Sequence, residues 1–200
     1  MIIHNIEQGS PEWFAVRKLK LTASKADAIA TAGKGLETLC SDLVAEAYSK
    51  AEPERYTNDA MERGNILEAE ARGMYEALND FVQVQEVGFV EYNKFVGCSP
   101  DGLVGDDGLV EIKCPQDKTY ANYLITGDID SKYSWQMQMQ MLVTGRKWCD
   151  YVVYNPNYAK SCVIVRVEAD KDKQEKLLKG FAKGEEILTS MIEKMEKANV

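Results

Sequence analysis

The stretch that decides the fold of this chain is Ser99-Pro100-Asp101-Gly102, followed across a short turn by Glu111-Ile112-Lys113. The apolar residues around the second tripeptide are typical of a β-strand, in which residues i and i+2 point to the same face. Glu111 and Lys113 are therefore predicted to project side by side. A hairpin signal, Asp106-Asp107-Gly108, separates the two segments, so we expect the turn to return the Asp101 carboxylate toward Glu111.

Two carboxylates beside an ammonium group suit metal-dependent cleavage of a phosphodiester. Oxygen ligands with open water positions favour Mg²⁺ or Mn²⁺, and such a cation polarises a phosphoryl oxygen and lowers the pKa of a bound water. Lys113 would orient or deprotonate that water and offset charge that develops on the phosphate. A plainer interpretation makes Asp101 a turn residue, with Glu111 and Lys113 an exposed pair on an edge strand. The spacing and the apolar strand together favour the metal site.

Composition limits the class of protein. A chain of 200 residues with 45% hydrophobic content suits one domain with a substantial core, and the sequence predicts neither a membrane span nor a signal peptide. The five cysteines are odd in number and never spaced C-x-x-C, which favours reduced thiols in the cytoplasm and argues against a structural zinc or an iron–sulfur cluster. With a single histidine, His4, catalysis by a Ser-His-Asp or Cys-His set is disfavoured.

The net charge of −8 conflicts with a simple nucleic-acid binder, which normally presents a basic face. Part of the negative charge belongs to the predicted metal site, where bound cations would reverse the local sign. The segment Arg17-Lys18-Leu19-Lys20, with Lys25 and Lys34, supplies a local positive patch. On its own, such a patch is equally typical of a solvated helix face.

Hydrophobic periodicity predicts one α/β domain over residues 1–200, with a central mixed β-sheet flanked by helices. Its core is expected at about 58–154, after N-terminal helices within 10–50 and before a C-terminal helix at 170–198. Helices within the core are expected at 58–79, 117–125 and 133–143. Strands are expected at 81–92, 94–98 and 109–113, as three strands of one sheet, and at 148–154 and 162–167.

The run from Gln136 to Met141 alternates Gln with Met and could pass for a strand. A helix is favoured because Trp135, Met139 and Leu142 recur at helical spacing, and because Met and Gln are good helix formers. Gln136 and Gln140 then share a polar face that is available to the sheet or to a substrate.

Five motifs in a shared order resemble the PD-(D/E)xK nuclease superfamily, and within it the phage lambda exonuclease, or alkaline exonuclease, family of viral recombination nucleases. The joint order is more specific than any one motif, and it implies a restriction-endonuclease-like core. The motifs are Glu7 to Trp13 with Arg17 and Leu21 to Ser24, then Gly64 to Arg72, Cys98 to Leu103, Glu111 to Pro115, and Gln136 to Gln138.

The resemblance implies a role for each residue of the metal site. Asp101, Glu111 and the carbonyl oxygen of Ile112 would hold Mg²⁺, and Mn²⁺ should also support activity. Glu68 would assist at a second metal position. Lys113 would be the catalytic lysine. Considered without the family, Glu68 is a solvated helix residue.

The resemblance also implies a pocket for the terminal 5′-phosphate of the digested strand, formed by Arg17, Ser24, Ser99 and Gln136. An Arg fork with hydroxyls near a helix N-terminus is a suitable phosphate receptor. Taken singly, Ser24 is an ordinary N-cap and Arg17 a surface cation, so only their joint alignment favours the pocket. Met61 lies where the family places a strand-separating wedge.

The family forms a ring-shaped homotrimer through which duplex enters and single strand leaves. The resemblance therefore implies a 5′-to-3′ exonuclease that digests one strand of linear double-stranded DNA and leaves a 3′ overhang. A single-strand annealing protein would use that overhang in phage-type recombination. The chain would be encoded by a phage or prophage and act in the cytoplasm of a bacterial host.

Three other readings of the chain compete with this one. A site-specific endonuclease on the same core would need an element that reads bases in the major groove, and no basic loop or added domain is evident. A CRISPR-associated iron–sulfur nuclease would need clustered cysteines. An inert module that binds DNA ends would not need the complete set of Asp101, Glu111 and Lys113.

Overall fold

The computed structural model describes residues 1–50 and 59–198, and for residues 59–62 and 65 the backbone only. Within these ranges the chain forms nine strands and seven α-helices. The strands are β1 (Ile2–His4), β2 (Leu21–Thr22), β3 (Val84–Gln85), β4 (Phe89–Asn93), β5 (Val96–Cys98), β6 (Gly102–Val104), β7 (Gly108–Lys113), β8 (Trp148–Tyr154) and β9 (Cys162–Glu168). The helices are α1 (Pro11–Arg17), α2 (Ala26–Thr31), α3 (Lys34–Tyr48), α4 (Asp59–Leu78), α5 (Asp117–Thr126), α6 (Ser131–Thr144) and α7 (Lys171–Lys197).

The strands form two mixed sheets. The first has the order β1-β4-β5-β2, and only the pair of β2 and β5 is parallel. The second has the order β3-β6-β7-β8-β9, and only the pair of β7 and β8 is parallel. The predicted α/β class with mixed sheets is confirmed, as is the helix over the alternating Gln and Met run.

The expectation that 81–92, 94–98 and 109–113 share one sheet is wrong. β4 and β5 belong to the first sheet and β7 to the second. The predicted strand 81–92 is also divided, because the chain crosses between the sheets at residues 86–88. Gly88 permits the crossing, since a Cβ atom there would lie 2.1 Å from the carbonyl oxygen of Ile6.

The second crossing, at residues 99–101, leads from β5 into the predicted hairpin. β6 and β7 pair antiparallel, with Gly102 opposite Val110. Both chain crossings therefore lie beside the start of β6. Asp101 stands at this junction between the two sheets.

The two faces of β7 are buried in different clusters. Leu109 packs in the main core, together with α2, α3, α6 and α7. Val110 and Ile112 face the other way and pack with Tyr75 of α4. Because strand residues alternate, Glu111 shares the face of Leu109 and points into the main core.

In the described ranges, no helix combines the length and the apolar character that a membrane crossing would require.

Candidate active site

The structure brings Asp101, Glu111 and Lys113 together at the open end of the β6–β7 hairpin, opposite its turn. The backbone N–H of Ile112 donates to Asp101 Oδ2 at 2.7 Å. The Lys113 ammonium donates to Glu111 Oε1 and, at 3.0 Å, to the carbonyl oxygen of Ile112. The distance from Lys113 Nζ to Asp101 Oδ2 is 4.0 Å. Three oxygens therefore converge on one positive charge.

Glu111 is not on an edge strand, so the plainer interpretation of an exposed pair is wrong. β7 lies between β6 and β8, and Glu111 is 0% exposed. A buried carboxylate requires hydrogen-bond donors. Besides Lys113, the side-chain amide of Gln136 donates to Glu111 Oε1 at 2.6 Å, and that of Gln140 donates to Oε2 at 2.7 Å.

Burial and charge shift the proton affinity of two of these groups. Burial, and next the charge of Glu111, raise the pKa of Asp101 well above its usual range. Burial alone would lower the pKa of Lys113, but the Glu111 and Asp101 carboxylates outweigh it and raise that pKa. A cation at the centre of the site, such as the Lys113 ammonium, therefore favours the ionised form of Asp101.

The oxygens around this charge fit a hard divalent cation. Among the described residues, no three His, Cys, Asp or Glu side chains form a metal-binding group. The candidate set instead consists of two carboxylates, Asp101 and Glu111, and the main-chain oxygen of Ile112. Mg²⁺ is held by few protein oxygens and retains several waters, so this donor set suits it. We find the site already adapted to a cation, because the Lys113 ammonium lies among the same oxygens.

Glu68 stands on α4 beside this centre. Its Oε1 atom accepts a hydrogen bond from Arg72 Nη2 at 3.0 Å, and Arg72 Nη1 lies 2.7 Å from Glu86 Oε1. Burial raises the pKa of Glu68, and the cations of Arg72 and Lys113 oppose that shift. Glu68, Arg72 and Asp101 line one cleft of about 880 Å³. Arg72, four residues after Glu68, was recoverable from helical spacing but was not predicted as a site residue.

Arg17 and Ser99 meet beside Trp13, which lines the same cleft as Glu68, Arg72 and Asp101. Arg17 Nη1 donates to Ser99 Oγ at 3.1 Å, and the guanidinium lies 3.9 Å from the centre of the Trp13 ring. Trp13 Nε1 also donates to Ser99 Oγ, at 2.9 Å. Ser99 Oγ therefore accepts two hydrogen bonds, and its own proton remains for another acceptor. Trp13 belongs to the first motif but was not predicted as a site residue.

Arg17 is not a free surface cation. Burial lowers its pKa to about 10, and no ion pair of the described residues includes it. A half-buried guanidinium that forms no ion pair with a described carboxylate is suited to receive an anion.

Ser24 and Gln136 are placed differently from each other. Ser24 is exposed in the 3₁₀ turn that follows β2. Because β2 and β5 are parallel, with Thr22 opposite Gly97, Ser24 lies at the same end of the first sheet as Ser99. Gln136 instead directs its amide at Glu111. The side chain of Met61, the expected wedge, lies outside the described residues.

Comparison with known proteins gives one family model and several solved structures. Residues 12–147 match the YqaJ-like viral recombinase domain. An alkaline exonuclease from Laribacter hongkongensis, LHK-Exo, is 33% identical over 94% of this chain and 100% of that chain, with a TM-score of 0.79. Its complex with dAMP gives the same values. A search of curated proteins gave no match.

A more distant structure shares only the fold. The phage related exonuclease from Haemophilus somnus 129PT is 15% identical, with 89% of this chain and 97% of that chain covered and a TM-score of 0.66.

Proposed function

Since the chain belongs to the YqaJ-like viral recombinase family and is a nuclease of the alkaline exonuclease type, we propose that it is a Mg²⁺-dependent 5′-to-3′ exonuclease. Its substrate is linear double-stranded DNA with a 5′-phosphorylated end, and its product is a 3′ single-stranded overhang. The observation that carries this function is the convergence of oxygens from Asp101, Glu111 and Ile112 on the Lys113 cation in a buried site.

Each residue of the centre has a separate task. Asp101, Glu111 and the Ile112 carbonyl hold Mg²⁺, and Glu68 assists at a second metal position. When bound, the ion polarises a phosphoryl oxygen and lowers the pKa of a water molecule. Lys113 orients that water and offsets negative charge on the phosphate. The Ile112 N–H holds the Asp101 carboxylate toward the centre.

The 5′-phosphate binds in the pocket of Arg17, Ser24, Ser99 and Gln136. Arg17 supplies a positive charge that forms no ion pair among the described residues, and Ser99 supplies a hydroxyl proton beside it. An amide carries two N–H groups, so Gln136 can donate to Glu111 and to the phosphate. Met61 takes the place of the strand-separating wedge.

The proposal extends to the assembly of the chain and to its partner protein. The chain forms a ring-shaped homotrimer around the duplex, which explains how a protein with a net charge of −8 remains on DNA. The overhang passes to a single-strand annealing protein. A phage or prophage encodes the pair, which acts in the cytoplasm of the bacterial host.

One assay tests this function. Purified protein is incubated with linear duplex bearing a 5′-phosphate, with the same duplex bearing a 5′-hydroxyl, and with closed circular DNA, each with Mg²⁺, Mn²⁺ or a chelator. We expect digestion of linear DNA with either cation, faster from the 5′-phosphate, and none with the chelator. Cleavage of the circle would favour a site-specific endonuclease, and inertness toward all three would favour a module that only binds DNA ends.

A further inference from the structure

We propose that Gln140 is a positioning residue that holds the Glu111 carboxylate in the orientation required to bind the divalent metal ion. This inference rests on the proposed function of the site. It concerns the residue behind the metal ligand, on the side of Glu111 away from Lys113.

The contact between the two side chains is direct and fully buried. Gln140 lies on α6 and is 0% exposed, as is Glu111. Gln140 Nε2 donates to Glu111 Oε2 at 2.7 Å. The other oxygen of Glu111, Oε1, accepts from Lys113 and from Gln136.

The two oxygens of Glu111 therefore have different partners. Oε1 faces the cationic centre, whereas the donor to Oε2 in the described part of the chain is Gln140. The final torsion of a glutamate side chain is broad and only weakly preferred by itself. A donor fixed on α6 restricts that torsion, so Gln140 determines which oxygen is presented to the metal ion.

The oxygen atom of the Gln140 side-chain amide also indicates that this residue orients Glu111. Gln140 Oε1 is buried and accepts no hydrogen bond from the described residues. A buried polar atom without a partner is unfavourable, so an apolar side chain of similar volume would pack at lower cost. If the amide were rotated, Oε1 would face Glu111 Oε2 and the two acceptors would repel. The buried amide is thus explained by its bond to Glu111 and not by packing.

The same helix carries a matched control. Gln138 is 1% exposed, but its Nε2 donates to the carbonyl oxygen of Glu168 and its Oε1 accepts from the N–H of Asp170, both at 2.8 Å. Its amide ties α6 to the start of α7 and does not contact Glu111. Gln138→Met therefore removes a buried amide of equal size from the same helix without altering the metal ligand.

The test compares wild type, Gln140→Met and Gln138→Met as full-length proteins. Mg²⁺ and Mn²⁺ binding is measured by calorimetry without DNA, and cleavage of linear duplex is measured across Mg²⁺ concentrations. We expect Gln140→Met to weaken metal binding about 10- to 100-fold, as is typical when a partner of a metal ligand is removed. Its cleavage should recover in large part at saturating Mg²⁺. Gln138→Met should lower the thermal midpoint and change the metal Kd less than about twofold.

Metal affinity in Gln140→Met within twofold of wild type would overturn the inference, as would an equal loss in Gln138→Met. Should Gln140→Met fail to fold, Gln140→Asn keeps a buried amide but is one methylene too short to reach Glu111. It should weaken metal binding similarly, and an unchanged affinity would again count against the positioning role. A wild type that binds neither cation would overturn the proposed function as well, whereas a wild type that binds with unchanged variants overturns this inference only.

Discussion

Glu111 and Lys113 contribute opposite charges to the site. Glu111 is fully buried and is held by two amides and one ammonium, so its position is fixed before any ligand arrives. Lys113 is the positive charge that accompanies it. Removing either group alters the charge at the centre of the site.

Glu111→Gln and Lys113→Ala should each abolish cleavage. The first removes a metal-ligand charge and the second a contact that forms in the transition state, so neither should prevent binding of DNA ends. Binding is measured in Ca²⁺, whose longer and looser coordination holds phosphate but activates water poorly. More than a few per cent of wild-type activity in Glu111→Gln, or efficient cleavage in Ca²⁺ alone, would contradict the metal site.

Arg17→Ala should remove most of the preference for a 5′-phosphate over a 5′-hydroxyl end. A charge-assisted contact of Arg with phosphate contributes roughly 1.5 to 3 kcal/mol, or about tenfold to a hundredfold. Initial rates on the two ends are compared for wild type and variant. An unchanged ratio would mean that Arg17 does not bind the phosphate. Arg146→Ala is the control, because that side chain caps carbonyl oxygens of Val104, Gly105 and Gly108 outside the pocket.

At the scale of elements, α7 is attached to the N-terminal helices by close backbone contact. A Cβ atom on Gly180 would lie 2.0 Å from the carbonyl oxygen of Ile29 in α2. Glycine normally weakens a helix interior. Here it allows α7 to approach α2, so helix propensity and packing have opposite effects at this position.

Gly180→Ala should therefore destabilise the protein, by about 1 to 3 kcal/mol, because the contact is with backbone that cannot yield easily. Gly73→Ala, in α4, is the matched control: a Cβ atom on Gly73 would meet nothing within 4 Å beyond the backbone of its own helix, so the gain in helix propensity should stabilise by up to about 1 kcal/mol. Urea unfolding of both variants measures the difference. If Gly180→Ala instead stabilised the protein, α2 and α7 could move apart without a decrease in the free energy of unfolding.

A second link between elements joins α4 to the second sheet. Tyr75 donates to Asp150 Oδ2 at 2.8 Å, and Arg166 donates to both oxygens of Asp150 at 2.8 and 2.9 Å. Asp150 is buried, so its loss leaves both donors without their acceptor.

Asp150→Ala should cost about 2 to 3 kcal/mol of the free energy of unfolding, and Tyr75→Phe about 1 kcal/mol, since the latter leaves the Arg166 contact in place. The two variants are compared in the same urea titration. Equal effects of the two substitutions would mean that the pair of Asp150 and Arg166 adds no stability.

At the scale of the whole molecule, the net charge of −8 opposes binding to DNA, which is also negatively charged. A monomer held by few phosphate contacts would bind DNA weakly, and salt would reduce that affinity further. Enclosure of the duplex by a ring avoids this dependence, since release then requires the ring to open or the DNA end to be reached.

The protein should therefore have a mass about three times its 22.5 kDa chain mass in light scattering, and its digestion of long duplex should persist at salt concentrations that release a monomeric binder. A mass of about 22.5 kDa at micromolar concentration would rule out the ring.

Local patterns predicted the β6–β7 hairpin, because strand alternation and a turn signal are enough to place Asp101, Glu111 and Lys113 together. They also predicted α6. They did not predict the division into two sheets, since it depends on the approach of Gly88 to Ile6, which is far away in sequence. Likewise, helical spacing placed Gln140 on the face of Gln136, but only the packing of α6 against β7 shows that both amides meet Glu111.

The two crossings of the chain have a consequence for the size of the product. Under the proposed assignment, Ser24 and Ser99 follow β2 and β5 at one end of the first sheet and bind the 5′ end, whereas Glu111 of the second sheet holds the metal ion. The distance between the two sheets then sets the number of nucleotides between the 5′ end of the strand and the bond that is cleaved. Because residues 86–88 and 99–101 connect the two sheets directly, every turnover should release a fragment of the same length, whatever the base sequence.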